Sequence, residues 1–210
     1  MTASGTGRLR LVRRILWACV AVAALGLGVL AWQHRNTAIS TLLEQSYAVI
    51  GGPFTLTDED GQTLTGEQLK GRPFALYFGF TQCPDVCPTS MLEMASIMAE
   101  LGDIARDFRV YFVTVDPERD PPDVLKAYTE SFDPRIIGLT GTADQIAEVA
   151  RAYRAFYRRV PTEHAYTMDH TATIYLMNAE GRLASTISYG EDHATAVDKV
   201  RRLITGTASR

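Results

Sequence analysis

Two hydrophobic patterns alternate along the chain after residue 50. Short apolar runs bounded by turn-forming residues predict buried strands, and the clearest runs cover Pro73–Phe80, Arg109–Asp116 and Thr171–Met177. Between these runs, apolar residues recur at every third or fourth position, which predicts helices over Pro88–Leu101 and Ala143–Phe156. This part of the chain is therefore expected to alternate strands with helices.

Turn and capping signals extend the pattern. Apolar and polar residues alternate on both sides of Asp60 and Gly61, which predicts a β-hairpin. Asp120 is expected to cap a helix that opens with Pro121, and Asp192 to cap the final helix. The remaining segments are a short apolar piece at Ile136–Leu139, a loop or hairpin insertion at Arg158–Asp169 and a strand at Leu183–Ser188.

The order of these elements predicts the fold class. Strand–helix–strand units come early and a meander comes late, which favours a mixed sheet covered by helices. Two cysteines, Cys83 and Cys87, lie between the first central strand and its helix. An α/β arrangement with a dithiol at this point is typical of a thioredoxin-like fold, which we expect over residues 51–206.

The N-terminal part of the chain has a different hydrophobic pattern. Residues 15–32 contain no charge and are numerous enough to span a bilayer, so we predict a transmembrane anchor there. The arginines within residues 1–14 predict a cytoplasmic tail, with the domain on the other side of the membrane. A cleaved signal peptide is the alternative, but no cleavage-like site ends the apolar run. Residues 33–50 are predicted to be a linker and residues 207–210 a tail.

Composition narrows the classes of protein that remain. Hydrophobic content of 46% and charged content of 21% are those of a globular protein and argue against a disordered chain. The net charge is -3, but the only charged residues in the first 32 positions are arginines, so the rest of the chain is more acidic than the total suggests. This acidity argues against a nucleic-acid partner. A cationic metal or a protein partner is compatible with it.

The chain has three cysteines, which is too few for a disulfide-stabilised scaffold. Cys19 lies in the predicted anchor, which leaves Cys83 and Cys87 as a close pair. Pro88 indicates a helix N-terminus, so we expect Cys87 at the helix cap and Cys83 in the loop before it. A helix N-terminus favours thiolates, which are both nucleophiles and soft metal ligands. The pair is therefore predicted to perform redox or metal chemistry.

A third ligand would complete a site suited to Cu(I), which prefers sulfur. Four histidines are present, of which His34 adjoins the predicted anchor and His193 opens the last helix. Of the other two, His164 and His170, we favour His170, because it directly precedes a strand expected beside the one that carries the cysteines. In thioredoxin-like folds the turn before that strand faces the dithiol. The neighbouring Asp169 is expected either to orient the imidazole ring or to cap the loop.

Two features argue against a thiol-disulfide oxidoreductase. Such enzymes normally have a cis-proline where this chain has Ala172, and a cis bond before another residue costs about 3 kcal/mol. The three-residue spacer between Cys83 and Cys87 also differs from the CxxC of redox thioredoxins. A methionine stripe at 91–98 invites a second copper interpretation, but methionine commonly fills the core face of a helix.

Four ordered motifs resemble those of the Sco/SenC family over nearly all of Gly51–Thr205. They are FGFTQCPDVCP, VDPERDPP, FDPRIIGLTGT and DHTATIYL. The resemblance implies a membrane-anchored protein with a thioredoxin-like domain in the periplasm, or in the mitochondrial intermembrane space of a eukaryote. Members of this family bind copper and help to assemble the dinuclear copper centre of cytochrome c oxidase.

Carried over to this chain, the resemblance implies ligation of copper, as Cu(I) or Cu(II), by Cys83, Cys87 and His170. Gln82 stands where relatives often have histidine or tyrosine, which changes the rim of the site without removing a ligand. Three aspartates also belong to the family motifs, although turn and cap roles explain them adequately. They are Asp116, Asp120 and Asp133.

The resulting hypothesis is a copper metallochaperone. Its expected partners are the copper ion, the copper-bearing subunit of cytochrome c oxidase, the membrane, and a periplasmic copper donor or thiol reductant. The alternative is a thiol-disulfide reductase that keeps the cysteines of the oxidase reduced. In that alternative Cys83 and Cys87 act as a redox-active dithiol.

Overall fold

The computed structural model describes residues 50–206 and the isolated positions Trp17 and Gly26. Within residues 50–206 the strands are β1 (Thr55–Asp58), β2 (Thr63–Thr65), β3 (Phe74–Gly79), β4 (Arg109–Thr114), β5 (Ile136–Thr140), β6 (Tyr157–Pro161), β7 (Tyr166–His170), β8 (Thr173–Met177) and β9 (Leu183–Ser188). The α-helices in this range are α1 (Val86–Leu101), α2 (Pro122–Glu130), α3 (Ala143–Tyr153) and α4 (His193–Thr205).

Most of the strands form one mixed sheet, in the order β2-β1-β5-β4-β3-β8-β9. The neighbours β3, β4 and β5 are parallel, whereas β8 pairs antiparallel with both β3 and β9. The parallel part follows from the strand–helix–strand units of the sequence, because parallel strands need a crossover connection. The predicted mixed sheet with helices packed against it is therefore confirmed.

The core lies against the central strand β3. All six residues of β3 are buried, and β4 and β8 pair with its two edges. Met91, Met94 and Met98 of α1 are fully buried in the same core. The methionine stripe therefore packs as core, as the sequence predicts. Together these contacts hold the start of α1 close to the end of β3.

The segment predicted as a loop or a hairpin insertion is a hairpin. β6 and β7 form a separate two-stranded antiparallel sheet, in which Tyr157 pairs with His170. Two hydrogen bonds close its base: Thr171 N–H donates to the Phe156 carbonyl, and Phe156 N–H donates to the Thr171 hydroxyl, each at 2.9 Å. This closure holds the end of β7, where His170 lies.

Helix α1 begins two residues earlier than predicted. Its first residue is Val86, so Cys87 lies within the first turn and the prediction that it caps the helix is wrong. Pro88 is accommodated at its position because the first N–H groups of a helix have no acceptor within the helix.

The two predicted aspartate caps have different outcomes. Asp192 caps α4 as predicted, and its carboxylate accepts a hydrogen bond from Thr195 N–H at 3.0 Å. Asp120 does not cap α2, whose N-cap is Pro121. The Asp120 prediction is wrong because its side chain is fully buried and bonds to other partners.

Among the residues that the structure describes, no helix combines the length and apolarity needed to cross a membrane. The segments predicted on either side of the domain lie almost entirely outside the described residues, and their assignments stay predictions. They are the tail at 1–14, the anchor at 15–32, the linker at 33–50 and the tail at 207–210.

Candidate metal centre

The two cysteines lie where β3 leads into α1. Cys83 is in the intervening loop, and its N–H donates to the carbonyl oxygen of Phe80 at 3.2 Å. Cys87 is in the first turn of α1, where free N–H groups and the helix dipole favour a negative charge. Both thiols are free, and Cys83 is 9% exposed whereas Cys87 is fully buried. Solvent therefore reaches Cys83 more readily than Cys87.

The imidazole of His170 faces the buried sulfur. Its Nε2 atom lies 3.3 Å from Cys87 Sγ, and its Nδ1 atom lies 3.2 Å from the carbonyl oxygen of Thr171. Because a carbonyl oxygen can only accept, Nδ1 is assigned as the protonated nitrogen. Nε2 then presents its lone pair to the site, which is the form of histidine that ligates metals.

Two aromatic side chains fix the orientation of this ring. Tyr77 and Phe80 both pack edge-on against His170, with ring centres 6.0 Å and 5.7 Å away. The Tyr77 hydroxyl also lies 3.9 Å from Cys87 Sγ, and burial raises the pKa of Tyr77 so that it remains a neutral donor. Neither residue is predicted from the sequence as part of the site, although both lie in the run that leads to Cys83.

The structure brings together all three residues that the sequence predicts as ligands. The two sulfurs and one nitrogen of His170 lie within 4.8 Å of one another, and no other cluster of metal-ligating residues occurs in the described part of the chain. Two thiols and one imidazole are a soft donor set suited to copper. Their role as ligands stays a prediction.

A hydrogen bond between the two thiols moves their pKa values apart. Donation from Cys87 lowers the pKa of Cys83 well below its usual range, against an opposing effect of burial. The same bond, together with burial, raises the pKa of Cys87. Cys83 is therefore the thiol that ionises more readily to the thiolate that nucleophilic or metal chemistry requires.

The other candidate residues lie elsewhere. Asp169 neither orients the ring nor caps the loop, because its carboxylate pairs with Arg158 while a backbone carbonyl accepts from the imidazole. His164 is exposed in the turn of the β6–β7 hairpin. His193 contacts two carboxylates of α1 and is not one of the clustered ligands. His34 lies outside the described residues.

The motif aspartates support the site from a distance. Asp120 accepts hydrogen bonds from Thr81 N–H at 3.0 Å and from the hydroxyls of Thr81 and Thr114 at 2.6 Å each. These bonds tie the cysteine loop to β4, and burial raises the pKa of Asp120. Asp133 has the turn role predicted for it, since it accepts from Arg135 N–H at 2.9 Å. The Asp120 contacts are not predicted from the sequence, because Thr81 and Thr114 lie in other segments that only the fold brings next to Asp120.

A mixed sheet with a dithiol at the start of α1 and an imidazole facing it defines a thioredoxin-like protein with a dithiol–histidine centre. The family model SCO1/SenC matches residues 44–205. The chain belongs to the SCO1/SenC family.

Known relatives and a solved structure agree with this assignment. The mitochondrial protein SCO2 of Saccharomyces cerevisiae is 40% identical over 74% of this chain and 53% of its own length. A SCO2-like protein of Rickettsia prowazekii is 42% identical over 63% of this chain and 66% of its own. The structure of Bradyrhizobium japonicum ScoI with copper bound is 44% identical, with a TM-score of 0.68, over 73% of this chain and 99% of that one. The chain thus spans about half to two thirds of these curated relatives.

Proposed function

We propose that the chain is a copper metallochaperone that binds copper through Cys83, Cys87 and His170. It delivers the ion to the dinuclear copper centre of cytochrome c oxidase during assembly. The observation that carries this proposal is the convergence of two sulfurs and an imidazole nitrogen within 4.8 Å. Membership of the SCO1/SenC family and the copper bound to the Bradyrhizobium ScoI structure support it.

The donor set suits copper and argues against a structural zinc site. Thiolates are soft donors that suit Cu(I), and imidazole is a common ligand of copper. Structural zinc sites take four protein ligands, and in the described residues no fourth histidine, cysteine or carboxylate joins this cluster. A site with three ligands also leaves the ion open to an incoming ligand, which a cargo site requires.

Differences in burial indicate an order for the release of the ion. Cys87 is fully buried, whereas Cys83 is 9% exposed and His170 is half-buried. Ligands of a docked partner therefore reach the ion first from the side of Cys83 and His170. Cys87 is the last ligand to be exchanged, so the ion passes to the partner without entering water.

The proposed place of action is a membrane surface. Residues 15–32 anchor the chain, residues 1–14 stay in the cytoplasm, and residues 33–50 link the anchor to the domain at 51–206. The domain lies in the periplasm, or in the mitochondrial intermembrane space of a eukaryote. The proposed partners there are the copper-bearing oxidase subunit and a copper donor or thiol reductant.

A thiol-disulfide reductase is the second candidate, favoured by the two free thiols at the helix start. The Cys83 thiolate would attack one sulfur of a partner disulfide, and Cys87 would then displace the mixed disulfide. The partner gains two electrons and leaves as a dithiol, while Cys83 and Cys87 form a disulfide. Ala172 argues against this function, because no cis peptide bond occurs in the described residues to build the usual docking element.

The test is an anaerobic titration of the reduced full-length chain with Cu(I), in a Cys19→Ser background so that only Cys83 and Cys87 contribute thiols. His170→Ala is compared with the exposed control His164→Ala. We expect one equivalent of Cu(I) to bind, and its affinity to fall at least about 100-fold in His170→Ala, since loss of a ligand exceeds the effect of losing an outer contact. His164→Ala should bind like the parent.

Unchanged affinity in His170→Ala would contradict the three-ligand site. The same preparations are assayed for reduction of a model disulfide. Catalytic turnover in a protein that does not bind Cu(I) tightly would favour the reductase.

A further inference from the structure

One arginine joins the two segments that carry the candidate ligands. Arg119 lies in the loop between β4 and α2, and its Nη1 atom donates to the side-chain oxygen of Gln82 and to the carbonyl oxygen of Tyr166, each at 3.0 Å. Gln82 directly precedes Cys83, and Tyr166 begins the strand that ends at His170. A single nitrogen atom therefore links the cysteine loop to the histidine strand.

A buried carboxylate holds this arginine in place. Asp116 is 2% exposed, pairs with Nε of Arg119 and accepts a hydrogen bond from the Tyr166 hydroxyl at 2.9 Å. The N–H of Asp116 donates to the Thr114 hydroxyl at 2.9 Å, at the end of β4. Because β4 lies between β3 and β5 in the sheet, the arginine is attached to a central strand and not only to its own loop.

Ring contacts extend the link towards the imidazole. The guanidinium carbon of Arg119 lies 3.8 Å from the centre of the Tyr166 ring and 5.8 Å from that of Phe80, distances at which a cation and an aromatic ring attract. Phe80 in turn packs edge-on against His170. Arg119 therefore acts on both sides of the site through the neighbours of the ligands.

Stability of the fold alone does not account for an arginine at this position. Nη2 of Arg119 is buried without a hydrogen-bond partner among the described residues, and an unpaired buried donor costs free energy. In return, a planar guanidinium donates in fixed directions to several acceptors while it stacks on a ring, which a lysine ammonium does not do. The arrangement therefore fixes the directions of the bonds to Gln82 and Tyr166, and it leaves one nitrogen of the guanidinium without a hydrogen bond.

We propose that Arg119 is a positioning residue that holds the cysteine loop and the histidine strand at the separation required for one metal ion. Arg119, Asp116, Gln82 and Tyr166 are named here the arginine clamp. The inference rests on the proposed copper site and adds how the ligands are kept together before copper arrives. Gln82, predicted only to change the rim of the site, thereby gains a positioning role.

The test compares Arg119→Lys and Arg119→Ala with the exposed control Arg106→Lys, in the full-length chain with Cys19→Ser. Cu(I) affinity is measured anaerobically by competition with a chromophoric Cu(I) chelator. We expect both Arg119 variants to bind one equivalent with about 10- to 100-fold lower affinity, the usual effect of losing support around a ligand. Arg106→Lys should match the parent.

A second readout uses the copper-free protein. Amide hydrogen exchange over residues 157–170 should be faster in both Arg119 variants than in the parent, because the histidine strand has lost its link to the cysteine loop. Arg106→Lys should leave this exchange unchanged.

A third variant, Gln82→Ala, removes one hydrogen bond of the clamp from an exposed side chain. We expect it to lower Cu(I) affinity by less than Arg119→Ala does. In the double variant of Arg119→Ala and Gln82→Ala, the second substitution should cause no further loss of affinity.

Arg119 variants that unfold at lower temperature but keep the parent's Cu(I) affinity and exchange over 157–170 would overturn the clamp. Parent-like affinity in Gln82→Ala would also overturn it, and that variant serves if Arg119→Ala does not fold. Failure of the proposed function looks different, because the parent itself would then show no Cu(I) binding that depends on Cys83, Cys87 and His170.

Discussion

At the scale of single residues, Gly79 shows how closely the sulfur site is packed. A Cβ atom on this last residue of β3 would lie 2.9 Å from Cys87 Sγ and 2.8 Å from the ring of Phe112. Both neighbours are fully buried and have little room to move. The central strand approaches the cysteine helix this closely only because it ends in glycine.

Gly79→Ala is therefore expected to lower the free energy of unfolding by about 1–3 kcal/mol, the usual cost of overpacking a core. Cu(I) affinity should fall as well, because the added methyl group would displace the sulfur of the proposed ligand Cys87. Denaturant unfolding and Cu(I) competition measure the two effects. Gly52→Ala is the control, since its added Cβ would lie 3.6 Å from the nearest atom, an ordinary contact. Parent-like values for Gly79→Ala would show that the strand can move aside.

The sequence predicts the ligands of the candidate site better than their supports. Cys83, Cys87 and His170 are chemically distinctive residues beside recognisable strands, and the structure brings them together. Tyr77 and Arg119 are not predicted, because an aromatic residue in an apolar run and an arginine in a loop have many ordinary roles. Their contacts depend on folding, since Arg119 bonds to residues more than thirty positions away on either side.

At the scale of elements, α1 and α4 are joined by a histidine between two carboxylates. His193 of α4 places Nδ1 at 2.6 Å from Glu93 and Nε2 at 3.1 Å from Glu100, both on α1. These contacts raise the pKa of His193, Glu93 contributing first and Glu100 second. Arg201 of α4 also lies 4.0 Å from Glu100. The link is therefore strongest when the imidazole is charged.

This link predicts a pH-dependent stability. A raised pKa in the folded state means that the stabilisation is fully present below the ordinary histidine pKa of 6.5 and is lost as the pH rises through the folded-state pKa. The melting temperature of His193→Gln should thus fall below that of the parent at pH 6, and the difference should shrink at pH 9. The exposed residue His164 provides the control substitution, His164→Gln, measured at the same two pH values. A constant difference for His193→Gln would contradict the ion-pair interpretation.

The existence and type of an element could be predicted where its apolar residues form the core. β3 is a continuous apolar run and α1 has apolar residues at helical spacing, and both pack in the core. The sequence leaves the β6–β7 hairpin ambiguous because its strands contain only one buried residue, Met168, and carry no alternating core face. The start of α1 differs from the prediction because proline is tolerated throughout the first turn of a helix, so Pro88 indicates that a helix starts nearby but not at which residue.

At the scale of the whole molecule, the proposed anchor would restrict where copper is delivered. A linker of the predicted length, residues 33–50, would reach at most about 65 Å when fully extended, so a domain tethered by it would meet only partners in or near the same membrane. A tether of this kind raises the effective concentration of the domain at a membrane-bound partner. An anchored chain would therefore deliver copper only to partners within reach of its tether, whereas a cleaved chain would reach its partners by diffusion.

The two alternatives predict different fates for residues 15–32 when the full-length chain is expressed in a Gram-negative bacterium. A retained anchor keeps the protein in the membrane fraction after an alkaline carbonate wash, because an uncharged span of this length inserts stably in a bilayer. The mature protein should contain peptides from residues 1–14, detected by mass spectrometry, and protease added to spheroplasts should digest the domain. Deletion of residues 1–32 should leave a folded domain in the cytoplasm. A mature chain that starts after residue 20 and fractionates as a soluble periplasmic protein would replace the anchor with a cleaved signal peptide.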